Sequence, residues 1–229
     1  MAHPLDNPAW HALTGPQAAL ALGRGQARHY PRDMAPFSAI AEPGAAAYAD
    51  LAADLPPGLE ARLFRPAEEP TPAGWETLSA RPIIQMVAGD SGPPDGRAPF
   101  EPLGPDDAAE MLALAEAAEP GPFGRGTVLL GGYLGLRDAA GRLVAMGGER
   151  FRLPGHVELS AIAVHPEARG QELGSLLTRA LMRRALGRGE RPFLHVFPGN
   201  PAASLYARLG FRERARLWVL WRRPLPARP

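Results

Sequence analysis

Residues 157–175 have a form that can hold an anion: a strand running through a glycine-bearing turn into a helix. Val157-Glu158-Leu159-Ser160-Ala161-Ile162-Ala163-Val164 is a mostly apolar run of strand length. His165-Pro166-Glu167-Ala168-Arg169-Gly170 makes the turn, and Gln171-Glu172-Leu173-Gly174-Ser175 opens the helix. The first N–H groups of a helix have no intrahelical acceptor. The helix dipole places positive potential beside them, so the turn suits a phosphate or pyrophosphate. Gly170 and Gly174 carry no Cβ and allow close backbone approach, and Arg169 adds a planar cation. A strand-turn-helix with an ordinary polar bend would read the same way from this turn alone.

The elements around the segment follow from pattern. Asp106 or Asp107 can cap a helix through Met111, Leu112 and Ala115 that ends before Pro120. Tyr133 to Arg137 and Arg142 to Met146 flank Asp138-Ala139-Ala140-Gly141 as a hairpin. Arg150 to Leu153 and His156 to Val164 flank Pro154-Gly155 as a second one. Leu173, Leu176, Leu177, Ala180 and Leu181 form the apolar stripe of a helix over 171–187, with Arg179, Arg183 and Arg184 opposite. Phe193 to Phe197 is a short strand. Asn200 and Pro201 start another helix, which Gly210 can end. Phe211 to Trp221 reads as a closing strand or hairpin. In the first half, Trp10 to Leu22 and Ala45 to Leu55 read as helices, and Leu59 to Phe64 and Pro82 to Val87 as strands. Arg65 to Gly74 and Ala88 to Pro99 are rich in turn formers, and a domain boundary is expected near residue 97.

With these residues in order, the segment resembles motif A of the GNAT acetyltransferase superfamily, whose pyrophosphate loop reads Arg/Gln-x-x-Gly-x-Gly/Ala. Here the loop reads Arg169-Gly170-Gln171-Glu172-Leu173-Gly174, with Glu172 where the family usually has glycine. Asn200-Pro201-Ala202-Ala203-Ser204-Leu205-Tyr206-Ala207-Arg208-Leu209-Gly210-Phe211 looks like the family's Asn…Leu-Tyr-x-x-Leu-Gly-Phe ending. Gly121-Pro122-Phe123, the Gly141 to Met146 stretch, Gly148-Glu149-Arg150 and Pro192-Phe193-Leu194-His195-Val196 look like the branch related to glycine N-acyltransferases. The likeness spans residues 97–223. It implies an α/β fold with a mixed, mostly antiparallel sheet flanked by helices. It also implies a catalytic domain over 97–229, and a first part, 1–96, of unclear role that could be a degenerate copy.

The resemblance implies acetyl-CoA as co-substrate and direct transfer of its acetyl group to an amine. Ile162, Ala163 and Val164 would pair with the pantetheine amides. Arg169, Gly170, Gln171, Glu172, Leu173, Gly174 and Ser175, with Asn200 and Ser204, would hold the rest of the cofactor. A buried strand and a helix cap are the plainer readings of Ile162–Val164 and Asn200. Glu158, four positions before Ile162, matches the family's carboxylate base, and a solvated charge on an edge strand is its other reading. Tyr206 matches the phenol that protonates the departing thiolate; otherwise it packs on the sheet. If Pro154-Gly155 is a two-residue turn in regular register, Glu158 faces Phe151 and Ser160 faces Glu149. The two carboxylates would then be diagonal neighbours about 7 to 8 Å apart, with Glu149 orienting the substrate ammonium.

Composition excludes several alternatives. The chain has 229 residues with 45% hydrophobic residues and 21% charged ones, enough for a globular core. Its 25 basic residues are all arginine, and the formal net charge of +1 gives no general attraction to nucleic acid or a membrane surface. Cysteine is absent, so disulfides and thiolate chemistry are excluded. The six histidines show no paired spacing for a metal, so none is expected. His195 reads as a satisfied core or cleft histidine, and His165 as a turn residue. Trp218, Trp221, Arg222 and Arg223 could form a base-stacking surface, but the arginines read more simply as a solvated edge strand. The first ten residues lack an apolar leader core, so a cytoplasmic location is expected. The expected partner is a small-molecule or peptide amine, with a homodimer left open. A non-catalytic acyl-CoA sensor and an acyltransferase for longer acyl chains remain as alternatives.

Overall fold

The computed structural model describes residues 3–56, 58–89, 100–119 and 121–226. In chain order these carry α1 (Pro8–Leu13), β1 (Ala27–His29), β2 (Ser38–Ile40), α2 (Ala45–Asp54), β3 (Ala61–Arg65) and β4 (Trp75–Ala88). There follow β5 (Glu101–Leu103), α3 (Ala108–Ala118), β6 (Tyr133–Arg137), β7 (Leu143–Leu153) and β8 (His156–Val164). The chain closes with α4 (Leu173–Leu186), β9 (Arg191–Val196), α5 (Ala202–Arg208) and β10 (Phe211–Pro224). Eight strands form one sheet in the order β3-β10-β4-β9-β8-β7-β6-β5, and β1 and β2 form a separate ribbon. Among the strands of the described residues only β8 and β9 pair in parallel, as a strand–helix–strand connection through α4 requires. The expected class, a mixed and mostly antiparallel sheet flanked by helices, is what the chain adopts.

The two halves share this sheet. β3 and β4 come from the first half and enclose β10 from the end of the chain. The boundary expected near residue 97, with most of the second linker, lies outside the described residues. β10 was expected as a solvated edge, and it is not one. It pairs with β4 on one side and β3 on the other. Its arginines are tolerated inside the sheet because they have partners. Arg222 is fully buried beside Tyr48 and the Glu69 and Pro70 carbonyls, and Arg214 binds Asp6 and Gln85. Trp218 is half-buried against the cluster around Tyr48 and Trp75.

The predicted helix at 10–22 is shorter, ending at Leu13. The expected strand at 82–87 is the end of a long one beginning at Trp75. α4 keeps its expected place but turns its buried stripe to Leu177, Thr178, Leu181, Met182 and Ala185, leaving Leu176 at the rim, 36% exposed. No helix among the described residues is long and apolar enough to cross a membrane.

Two bulges on the β7–β8 hairpin set the geometry of the site. Pro154-Gly155 is the expected tight turn, with Leu153 opposite His156 and Gly155 at φ +72°. Arg150 and Phe151 then stand against Glu158 alone, so Glu149 meets Leu159 instead of Ser160 and its side chain changes face. β6 does not reach this part of β7, so the Arg150 carbonyl and the Arg152 N–H on its outer edge have no strand partner. Both are taken by the Gln17 side chain, its Nε2 donating at 2.7 Å and its Oε1 accepting at 3.3 Å. A second bulge lies on β8, where Ala161 and Ile162 stand against Gly147 and register is recovered at Ala163–Met146. Ala161 is left-handed at φ +52°, a conformation that costs a β-carbon-bearing residue about 1 to 2 kcal/mol.

Candidate active site

β8 and β9 stay paired only from His156–Arg191 to Glu158–Phe193. Beyond that rung they diverge, and the β8 edge from Leu159 to Val164 faces a gap. A cavity of about 500 Å³ fills the gap, its walls including Glu158, Ser160, Ala161, Ile162, His195 and Tyr206. The structure therefore brings the expected base, the expected acid and, of the expected pantetheine residues, Ile162 to one opening; Ala163 and Val164 continue β8 beyond its lining. Asn200 lines it too, its Oδ1 accepting from the Ala202 N–H at 2.9 Å as a cap for α5.

Glu158 is buried, with two donors at Oε1 and one at Oε2. Arg150 binds it through Nε at 2.8 Å and through a terminal nitrogen at 2.6 Å, and His195 Nδ1 lies 2.6 Å from Oε1. Arg150 itself lies over the Phe37 and Phe151 rings, its guanidinium carbon 4.4 and 4.8 Å from their centroids. Burial alone would raise the Glu158 pKa. The positive charge of Arg150 and the His195 hydrogen bond outweigh it and bring the value down to about 2.

The protonation of His195 follows from its neighbours. Gln85 Oε1 accepts from Arg214 at 2.7 Å, which fixes the amide orientation because arginine only donates. Gln85 Nε2 then gives one hydrogen to the Leu5 carbonyl at 2.8 Å and the other to His195 Nε2 at 3.0 Å. His195 Nε2 must be a bare lone pair, so Nδ1 carries the proton and donates to Glu158. The ring is neutral, in keeping with burial that pushes its pKa below the usual histidine value. As read from the sequence, His195 is satisfied; what the sequence did not reveal is that it holds Glu158.

Glu149 is a correction. The bulge turns it to the opposite face of the hairpin from Glu158, where it is buried between Arg152 and Arg188, each 2.6 to 2.7 Å away. It does not line the cavity, and the expected pair of repelling carboxylates does not form.

Tyr206 reaches the cavity from α5 with its ring edge-on to Phe211. Its hydroxyl has no hydrogen-bond partner among the described residues, and burial raises its pKa to about 12. At neutral pH it is a protonated phenol free to donate.

The turn before α4 has the expected unpaired donors. The N–H groups of residues 170–175 make no hydrogen bond among the described residues, and the first turn closes only with Leu176 N–H to the Glu172 carbonyl. Gly170 stands at φ +81° and Glu172 at φ +56°. That second value explains why glycine suits the position, and here a glutamate holds it with its side chain in solvent. Gly174 meets only Val164 Cγ2, at 4.0 Å from where a Cβ would sit, so internal packing does not demand glycine there. The space in front of the donors is open, which fits a diphosphate.

Residues 133–219 match the family model described as FR47-like protein. Across 96% of its length the chain is similar to a GNAT-family protein from Novosphingobium aromaticivorans, with 38% identity, a TM-score of 0.88 and 98% of that chain covered. A GCN5-related N-acetyltransferase from Kribbella flavida shares the fold at 21% identity and a TM-score of 0.62, over 94% of each chain. No curated protein matches the chain. The extent and identity of the first of these likenesses show that the chain belongs to the GNAT family of acetyltransferases.

Proposed function

We propose that the protein transfers the acetyl group of acetyl-CoA directly to a primary amine in the cavity between β8 and β9. The observation that carries this reading is the divergence of the two strands after the Glu158–Phe193 rung. It opens the β8 main chain beyond Glu158, and that strand leads on to the turn with the free N–H groups of residues 170–175. The main chain of Ile162, Ala163 and Val164 takes the pantetheine amides. Arg169 and the donors of Gly170, Gln171, Glu172, Leu173, Gly174 and Ser175 take the diphosphate, with Asn200 and Ser204 on the opposite wall.

The amine nitrogen attacks the thioester carbon, the new N–C bond forms and the C–S bond breaks. An alkylammonium has a pKa near 10.4, far above that of Glu158, so the carboxylate does not strip a proton from the resting ammonium. It attracts the ammonium, which first gives one proton to solvent so that the nitrogen carries a free lone pair; the carboxylate then accepts the second proton as the N–C bond forms and the nitrogen becomes acidic. Tyr206 donates to the departing thiolate. Its own high pKa makes this a hydrogen bond first and a completed transfer only when solvent resupplies the proton. Each group then exchanges its proton with water, leaving amide and free CoA.

Incubation with acetyl-CoA and a panel of amines, read by thiol release and product mass, tests the reading. The expected result is one thiol released per acetylated amine. Binding of acetyl-CoA without thiol release from any amine would identify a sensor. Release only from longer thioesters would identify a different acyl donor.

A further inference from the structure

The cavity extends well past Glu158. Its far wall is built on β3, β10 and β4, where Arg62 stands opposite Trp221, and Trp221 opposite Ser79. One step along the same face, Phe64 stands opposite Val219, and Val219 opposite Arg81. The Arg62 guanidinium carbon lies 3.9 Å from the Trp221 ring centroid, and that of Arg81 lies 4.6 Å from the Phe197 ring. Neither guanidinium has a hydrogen-bond or ion-pair partner among the described residues. Glu60, whose charge favours the Arg62 cation, accepts the Trp221 indole N–H and makes no hydrogen bond to Arg62. Arg62 is half-buried, and burial disfavours its charge.

Elsewhere in this chain, arginines that line or support the cavity are matched: Arg150 with Glu158, and Arg214 with Asp6. Neither guanidinium on this cavity wall is bonded to an anion, and Phe64, Ile83 and Val219 line the same cavity with them. Resting on the acetyltransferase reading, we propose that Arg62 and Arg81 bind a carboxylate at the far end of the acceptor, separated from its reacting amine by an apolar spacer. The strand levels set the length. Arg81 is four residues along β4 from Gln85, whose side chain touches His195, which is about 13 Å of strand. Arginine side chains shorten that span, but not to the two-bond reach of an α-amino acid. An ω-amino carboxylate fits the opening better.

A ligand that needs no catalysis tests this: N-acetyl-ε-aminocaproate against its primary amide, titrated calorimetrically into the full-length protein. The carboxylate is expected to bind about tenfold or more tightly than the amide. That ratio should fall toward one in Arg62→Gln/Arg81→Gln, and partway in Arg81→Gln alone, whose side chain is exposed and whose loss the fold tolerates. Equal affinities in the wild type, no binding of either ligand, or an unchanged ratio in a folded double variant each overturn the proposal. If the preference is present while acetyl-CoA gives no thiol release with ε-aminocaproate or any other amine of the panel, the anion site stands and the acetyltransferase reading fails.

Discussion

Glu158 Oε1 accepts a 2.6 Å hydrogen bond from His195 Nδ1 at the last rung before β8 and β9 part. The histidine cannot act as a base toward the cavity, because Gln85 occupies its other nitrogen at 3.0 Å. It holds the carboxylate in place, and Arg150 keeps that carboxylate ionised. The site is therefore built around an anion of low proton affinity rather than a base poised near neutrality.

The dependence of kcat/KM on pH should reflect that design. Glu158, with its pKa lowered to about 2, stays ionised across any workable range. The acid limb should instead follow the pKa of the amine, moving when acceptors of different basicity are compared. Glu158→Gln should lower kcat/KM by about 10² to 10⁴. A limb that stays fixed for every acceptor would contradict the assignment.

Acid stability should carry the same signature. Glu158 has a folded pKa below its unfolded value near 4.3, so its contribution is present above that value and is lost as pH falls toward 2. The contribution is on the order of 3 kcal/mol. His195 is held neutral with a lowered pKa, so the unfolded chain takes up its proton first and stability starts to fall below about pH 6.5. Urea midpoints measured from pH 7 to 3 should fall in two stages, with the lower stage missing in Glu158→Gln.

Tyr206→Phe should lower kcat by about tenfold or more while leaving the acetyl-CoA dissociation constant alone. The hydroxyl makes no hydrogen bond among the described residues, so its removal should not reduce Tm. Unchanged kcat would remove the tyrosine from the mechanism.

Glu149→Gln should do the reverse. The carboxylate is 1% exposed and joins Arg152 and Arg188, so neutralising it leaves two guanidiniums short of a partner. A loss of about 3 kcal/mol or more in stability is expected, with kcat/KM preserved in the folded fraction. Equilibrium denaturation and rates corrected for active protein separate the two effects.

The sequence made the catalytic half legible because its signals are local. The apolar run of β8, the turn glycines and the Leu-Tyr-x-x-Leu-Gly-Phe ending each sit within a dozen residues. Glu149 was misplaced because its position depends on a bulge, and the free main-chain groups there are taken by Gln17, more than a hundred residues away. β10 was misread for a similar reason. Its arginines look solvated in one dimension, and only the sheet order shows that Arg222 is buried beside Tyr48. Gln85, Arg62 and Arg81 carry no motif at all; a long strand of the first half and its neighbour bring them to the cavity. Glu172 was legible as a departure from the family pattern, but only φ +56° shows what glycine would relieve there.

The central claim is that the main-chain donors before α4 hold the diphosphate of acetyl-CoA, and calorimetric binding tests it most directly. Gly174→Val places two methyl groups in front of those donors, where a Cβ meets only Val164 at 4.0 Å, so the fold should survive. Glu172→Gly removes both a left-handed side chain and a negative charge. The account predicts saturable binding in the wild type, tighter binding in Glu172→Gly, and a loss of about tenfold or more in Gly174→Val. A wild-type protein that does not bind acetyl-CoA, or one whose affinity is unchanged by Gly174→Val, would contradict it.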